Sequence, residues 1–238
     1  MILQERQKSI LETTIRKHIR TAKPIASQEL LDELMFTVSP ATIRNELQKL
    51  DELGYLEQPH ASAGRIPTDK GYRFFVDHVE HITPSKQQQQ RIDDIFDVET
   101  REEFIKACSR TISHITKTFT IVGINEHTLM VDTGLSELFD EPEFQDLACV
   151  KSFGRLIDFF GKDLPSFIKA YENNDETVFI GRENPVKQAQ AYTMMISSWT
   201  HSSGFNGYIT IVGPKRMDYE KNLSLMRYIE NSYDGSNE

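Results

Sequence analysis

Ser39-Pro40-Ala41-Thr42-Ile43-Arg44-Asn45-Glu46-Leu47-Gln48-Lys49-Leu50-Asp51-Glu52-Leu53-Gly54 is the stretch whose reading decides the fold. Ser39 is placed to accept a bond from an orphan N–H, and Pro40 takes the first helical position, where its missing N–H costs nothing. Gly54 can adopt the left-handed conformation that stops a helix. A helix from Pro40 to Leu53 is predicted. At about 100° per residue, Ile43, Leu47 and Leu50 share one side. Ala41, Arg44, Asn45 and Gln48 share the other. Those types can read base edges: Arg pairs with guanine, Asn or Gln with adenine, and an alanine methyl packs on thymine. A solvated helix face has the same composition, so the surrounding sequence must decide.

Upstream, Leu3, Ile10/Leu11, Ile15 and Ile19 recur three to four apart among charged residues, which predicts an amphipathic helix ending before Pro24. Ser27 is expected to cap a shorter helix through Leu30, Leu31 and Leu34, followed by a link, Phe36-Thr37-Val38. Downstream, Tyr55-Leu56-Glu57-Gln58 reads as a strand, His60-Ala61-Ser62-Ala63-Gly64 as a turn, and Arg65-Ile66-Pro67 as a return strand. Thr68-Asp69 then starts a helix through Tyr72, Phe75, Val76 and Val79. Helices joined by short links and followed by a two-stranded ribbon make a winged helix-turn-helix. Its wing would offer His60, Ser62 and Arg65 to phosphate or minor groove. An ordinary surface hairpin is the alternative for that wing. Ser39, Thr42 and Lys49 complete the candidate DNA-facing set.

The whole chain has 238 residues, 27 Lys/Arg and 36 Asp/Glu, for a net charge of −9. That excludes binding nucleic acid by bulk charge. The charge is uneven: residues 1–80 hold 11 basic and 12 acidic side chains, and residues 81–238 hold 16 and 24. Pro84 and the tract Gln87-Gln88-Gln89-Gln90 mark a boundary near residues 80–84, the glutamines reading as solvated helix surface. The expected domains are 1–80, a DNA-binding winged helix; 81–117, a helical linker; and 118–238, an α+β domain. In the last, Thr118–Val122, Tyr192–Trp199 and Tyr208–Val212 read as strands and Asp218–Tyr228 as a closing helix. Residues 188–214 carry no Lys, Arg, Asp or Glu, as suits strands central to a sheet.

Other chemistries find little support. Cys108 and Cys149 are too few for a disulfide framework or a four-cysteine zinc site, and both read as small core residues. Asp132-Thr133-Gly134 has the form of an aspartic-protease motif, but that chemistry needs two facing carboxylates, and one copy is present. His78-x-x-His81 could join Cys108 or His114 around a metal, though no tight ligand set accompanies it. No phosphate-binding glycine loop occurs. The polar start and the lack of an 18-residue apolar run lead to the expectation of no membrane span and a cytoplasmic location. No enzyme, cofactor or metal is expected.

The segment from Ser39 to Glu46, with Leu53-Gly54-Tyr55-Leu56, Gln58 to Arg65 and Pro67 to Arg73, resembles the HrcA family of heat-inducible bacterial transcription repressors. The resemblance returns at Gly134-Leu135-Ser136, Glu141-Pro142-Glu143-Phe144, Gly181 to Pro185 and Ile211 to Tyr219. It implies a winged helix joined to a GAF-like domain, binding as a homodimer to an inverted-repeat operator in double-stranded DNA upstream of chaperone genes. It also implies that a chaperonin keeps the repressor folded and that heat relieves repression by occupying the chaperonin. Against the family pattern, the stretch from Gly123 to Thr133 is short: the extra strands and inserted helical dimerisation segment are missing. The sheet edge there is expected to be open. The dimer seam is expected near Ile209, Ile211 and the 123–133 connection. A GAF-like ligand- or protein-binding module, whose winged helix makes protein contacts, is the rival reading.

Overall fold

Apolar side chains at helical spacing build the first third of the chain. A computed structural model of the chain describes residues 3–34, 38–80, 82–125, 129–169, 171 and 177–232. The chain separates into two units, Met1–Val79 and Glu80–Glu238. In the first, α1 (Glu5–Thr21), α2 (Pro40–Glu52) and α3 (Asp69–His78) converge. They bury Ile10, Leu11 and Ile15 from α1, Ile43, Leu47 and Leu50 from α2, and Tyr72 and Phe75 from α3. Each such side chain contributes roughly 1.5–3 kcal/mol by leaving water. Ser39 Oγ accepts the Thr42 N–H at 3.1 Å, Pro40 follows at the first position, and Gly54 stands at φ +76°.

The second helix departs from expectation. Ser27 is not its cap; Ala26 holds that position, and the Ala26 N–H donates to the Glu29 carboxylate at 3.0 Å. Only one 3-10 turn forms, Ser27–Leu30, because Leu30 alone is buried there while Leu31 and Leu34 are half-buried. Without a continuous apolar face, a nucleated turn has little reason to propagate. Phe36 and Thr37 of the expected link lie outside the described residues. The wing strands are short, β1 (Leu56–Glu57) against β2 (Ile66–Pro67), antiparallel. A third segment joins them: Ile25 and Arg65 exchange both backbone hydrogen bonds at 2.9 Å.

The second unit contains α4 (Lys86–Phe96), α5 (Arg101–Thr116), β3 (Phe119–Ile124), β4 (Met130–Thr133), α6 (Leu135–Phe139), α7 (Leu147–Lys169), β5 (Thr177–Ile180), β6 (Tyr192–Thr200), β7 (Asn206–Pro214) and α8 (Tyr219–Asn231). Its sheet is wholly antiparallel, in the order β4-β3-β7-β6-β5. The charge-free stretch supplies β6 and β7, the latter at the centre. Phe119, Ile121, Tyr192, Met194, Ile196, Tyr208 and Val212 point to α7 and meet Phe153, Leu156, Phe160 and Leu164. Strand alternation sends Val122, Met195, Ile209 and Ile211 to the other side. Antiparallel strands and helices in separate blocks make this the expected α+β class.

Three expectations change here. The 81–117 stretch is helical but more than a linker: α5 buries Phe104, Ile105, Cys108 and Ile112, and Phe104 lies 4.7 Å from the Trp199 ring. The 123–133 stretch is more than a connection, since Met130 to Thr133 pair with Thr120 to Gly123 as the edge strand. Ile209 and Ile211 are fully buried within this one chain, so they cannot form a dimer seam. Asp132-Thr133-Gly134 is a strand-to-helix corner, with Asp132 exposed on the edge. Gly134 has φ +103°, and a Cβ there would lie 2.1 Å from Ser113 Oγ and 2.4 Å from the Thr118 carbonyl oxygen. Glycine is required there by backbone shape.

Cys108 is buried, and burial pushes its thiol well above the usual range. Cys149 is half-buried against the same core as Tyr192. His81 lies outside the described residues, and His78 Nδ1 sits 2.8 Å from the Phe74 carbonyl. Among the described residues, no helix is long and apolar enough to cross a membrane, and no three His, Cys, Asp or Glu gather to hold a metal.

Gly134→Ala is expected to destabilise the Glu80–Glu238 unit by about 1–3 kcal/mol through left-handed strain alone, with the clash adding to it. A urea titration followed by Trp199 fluorescence measures this; an unchanged midpoint would show that the corner accepts a side chain.

Candidate nucleic-acid interface

A helix that reads another molecule must be held rigidly from behind. The buried side of α2 does this with one polar group as well as its leucines. Glu46 is 7% exposed. Its Oε2 accepts from Gln7 Nε2 of α1 at 3.1 Å, and its Oε1 accepts from Lys49 Nζ at 3.1 Å. Gln7 is fixed in turn, because its Oε1 accepts the Gln4 N–H at 3.1 Å. At the other end of α2, Lys70 Nζ donates to the Leu53 carbonyl at 2.8 Å and lies 4.2 Å from the Tyr55 ring centroid. Thr68 Oγ1 donates to the Gly54 carbonyl at 2.7 Å. These bonds satisfy carbonyls that a helix end leaves open.

The outward side matches the periodicity. Ala41, Arg44, Asn45, Gln48 and Lys49 are all exposed. They are not equally available. Gln48 Nε2 donates along the helix to Glu52 at 3.0 Å. Ser39 and half-buried Thr42 are committed to the cap, their hydroxyls 2.9 Å apart. Arg44 and Asn45 have no hydrogen-bonded or ionic side-chain partner among the described residues.

The wing places His60 and Ser62 at its exposed tip, with Ser62 Oγ 3.3 Å from His60 Nδ1. Gln58 braces the turn by donating to the carbonyls of Ala61 at 3.2 Å and Ala63 at 2.8 Å. Arg65 is not at the tip. Its side chain is 17% exposed, and its Nε lies 2.8 Å from Asp51 of α2. Its charge is spent inside the unit, tying wing to helix. A cleft of about 270 Å³ separates the two, with Arg44, Gln58 and Ser62 on its walls and Leu47 at its base.

The 3-10 segment is clamped to α1. Glu33 takes Lys17 Nζ at 3.0 Å and Arg20 Nη2 at 2.7 Å. Burial alone would push the Glu33 carboxyl up; hydrogen bonds and charge from Lys17 and Arg20 outweigh it and hold the group below the usual carboxylate range. These pairs absorb part of the acidity near this surface. Glu46, Asp51 and Gln58 escape sequence reading because each resembles an ordinary solvated polar residue. Spacing offers one clue, since Glu46 falls between Ile43 and Leu50 on the apolar side.

Residues 2–80 match the family model for the winged helix-turn-helix transcription repressor, HrcA DNA-binding domain, and residues 70–223 match that for the HrcA protein C-terminal domain. The chain belongs to the HrcA family. That family is one of transcription repressors and not of enzymes. Among its relatives, the heat-inducible transcription repressor HrcA of Alkaliphilus metalliredigens is 26% identical over 329 aligned positions, covering 95% of each chain. The HrcA of Natranaerobius thermophilus is 26% identical and covers 97% of this chain and 96% of its own. The HrcA of Thermobifida fusca is 37% identical over 123 residues, 51% of this chain and 36% of its own. An alignment of 329 positions that takes in 95% of a chain of 238 leaves about a hundred positions of the first HrcA without a counterpart here. A solved hypothetical protein at 2.2 Å resolution shares the fold with a TM-score of 0.80, 19% identity and 97% coverage of both chains.

Glu46→Ala is expected to strand Gln7 and Lys49 and to cost about 1–3 kcal/mol in the Met1–Val79 unit. Glu46→Gln, which keeps an acceptor for Gln7, should cost less. Urea unfolding of both variants tests this, and equal losses would deny the bond to Gln7.

Proposed function

We propose that this chain represses transcription by laying the outer face of α2 in the major groove of an inverted-repeat operator in double-stranded DNA. The observation that carries this is the pair Arg44 and Asn45. Both are exposed and unpartnered among the described residues, on a helix pinned from behind by Glu46. Free donors on a rigid helix suit base reading, because little side-chain order must be imposed through the backbone. Lys49, His60 and Ser62 flank that face and suit phosphate contacts, which set register. Arg65 acts here through Asp51, holding the wing at its angle.

An inverted repeat has two-fold symmetry, so we take the acting species to be a homodimer joined through the second unit. A single winged helix, at about 600–1,000 Å² of interface, is a small module for choosing one site in a genome. The acidic second unit, at a balance of −8 over residues 81–238, is kept off phosphates and is free for protein contacts. The heat-inducible naming of the relatives supports a link between heat and this repression; we take the targets to be chaperone genes, in the cytoplasm, with a chaperonin as the partner that maintains the folded repressor and releases repression on heating.

A gel shift with an inverted repeat from a chaperone promoter, at stated salt, tests the core of this reading; equal affinity for random DNA would overturn it. Arg44→Ala or Asn45→Ala should each cost about 1–3 kcal/mol on the matched operator and relax discrimination. Lys49→Ala should weaken all sequences alike and lower the salt slope by about 1. If Asn45→Ala loses as much on random DNA as on the operator, Asn45 does not read bases.

A further inference from the structure

The exposed line of α5 continues past its end as Lys106, Arg110, His114 and Lys117. Like charges at that spacing repel along one helix face. Part of the line is answered within the chain: Lys117 Nζ lies 2.6 Å and His114 Nδ1 3.7 Å from Glu137. Arg110 is not answered, nor is Arg91 of α4; neither has an ion pair among the described residues. Both line a groove of about 470 Å³ between α4 and α5, together with His114 and with Asp94, whose carboxylate accepts from Gln90 Nε2 at 2.8 Å and leaves the two arginines in excess. Beyond Glu137 the chain turns acidic, with Asp140, Glu141, Glu143 and Asp146 following. Arg216 takes up Glu141 and Glu143. Asp140 and Asp146 stay exposed, beside Phe139 and Leu147, which are 39% and 64% exposed.

We propose that this face is where a second copy of the chain docks, each copy's Arg91–Arg110 groove receiving the other's Asp140–Asp146 segment. The proposal rests on the homodimer reading above and supplies its seam. Basic groove and acidic segment meet at the His114–Glu137 contact. A two-fold axis beside that junction pairs each with its opposite on the partner, so one patch is complementary to itself. The charges set register and speed encounter, while Phe139 and Leu147 add apolar area. Strand-to-strand joining through β4 is disfavoured, because that edge is four residues long and carries exposed Asp132. DNA is a poorer occupant, since the acidic stretch that follows Glu137, itself 3.7 Å from His114 of the groove, repels phosphate.

Sedimentation and light scattering on the full chain, with charge reversal, test this. The groove variant is Arg91→Glu with Arg110→Glu. The acidic variant is Asp140→Lys with Gln145→Lys; it spares Asp146, whose carboxylate accepts the Ala148 N–H at 2.9 Å at the start of α7. Each variant alone should raise the dimer Kd by about tenfold or more, since pairs on both sides of the axis turn repulsive. Mixing the two should restore a heterodimer, and one chain carrying all four changes should dimerise again. Circular dichroism confirms that each variant is folded. Dimers unchanged by either variant would overturn the seam and leave the homodimer standing. A wild-type monomer, on and off operator DNA, would overturn both. Reversals that leave the dimer intact but weaken DNA binding would assign the groove to DNA instead.

Discussion

The burial of Ile43, Leu47 and Leu50 on the side of α2 that packs on α1, the Ser27–Leu30 turn and β1 is the constraint on which the DNA-facing surface depends. Because that face of α2 is committed to the core, the opposite face has to be solvent-exposed, and its composition becomes free to serve recognition. Leucine packing alone leaves a helix able to slide or roll a little. Glu46 removes that freedom, since a buried carboxylate must keep its hydrogen-bonding partners or lose several kcal/mol of solvation. Gln7 therefore sets where α2 sits along α1, and the orientation of Arg44 and Asn45 follows from it.

The wing is held by the same logic. Two strands of two residues each would be marginal alone. Ile25 adds a third segment, Gln58 ties the turn, and Arg65 spends its charge on Asp51. A cation that looks ready for phosphate in the sequence is thus an internal strut.

In the second unit the sheet is closed to outside partners across its centre. Helices and strands of this chain bury β6 and β7 and leave β4 and β5 as the two edges. A relative with about a hundred more positions in the alignment has additional chain to work with. The proposed seam uses the surface that remains, where α5 and the acidic segment after α6 come together.

The sequence by itself determined the helices and their faces, because caps, Pro40, Gly54 and the 3.6-residue spacing of apolar side chains act locally. It also marked β6 and β7, since a run with no charged residue can hardly lie at a surface. It left open which polar residues are working parts. Glu46, Asp51 and Arg65 differ from their solvated neighbours only in what lies across from them, and that is a matter of three-dimensional packing. The same holds for Ile209 and Ile211: apolar alternation shows that they are buried, but not whether by this chain or by another copy. Only the tertiary structure decided that, because burial depends on contacts between residues distant in sequence, which no local pattern encodes.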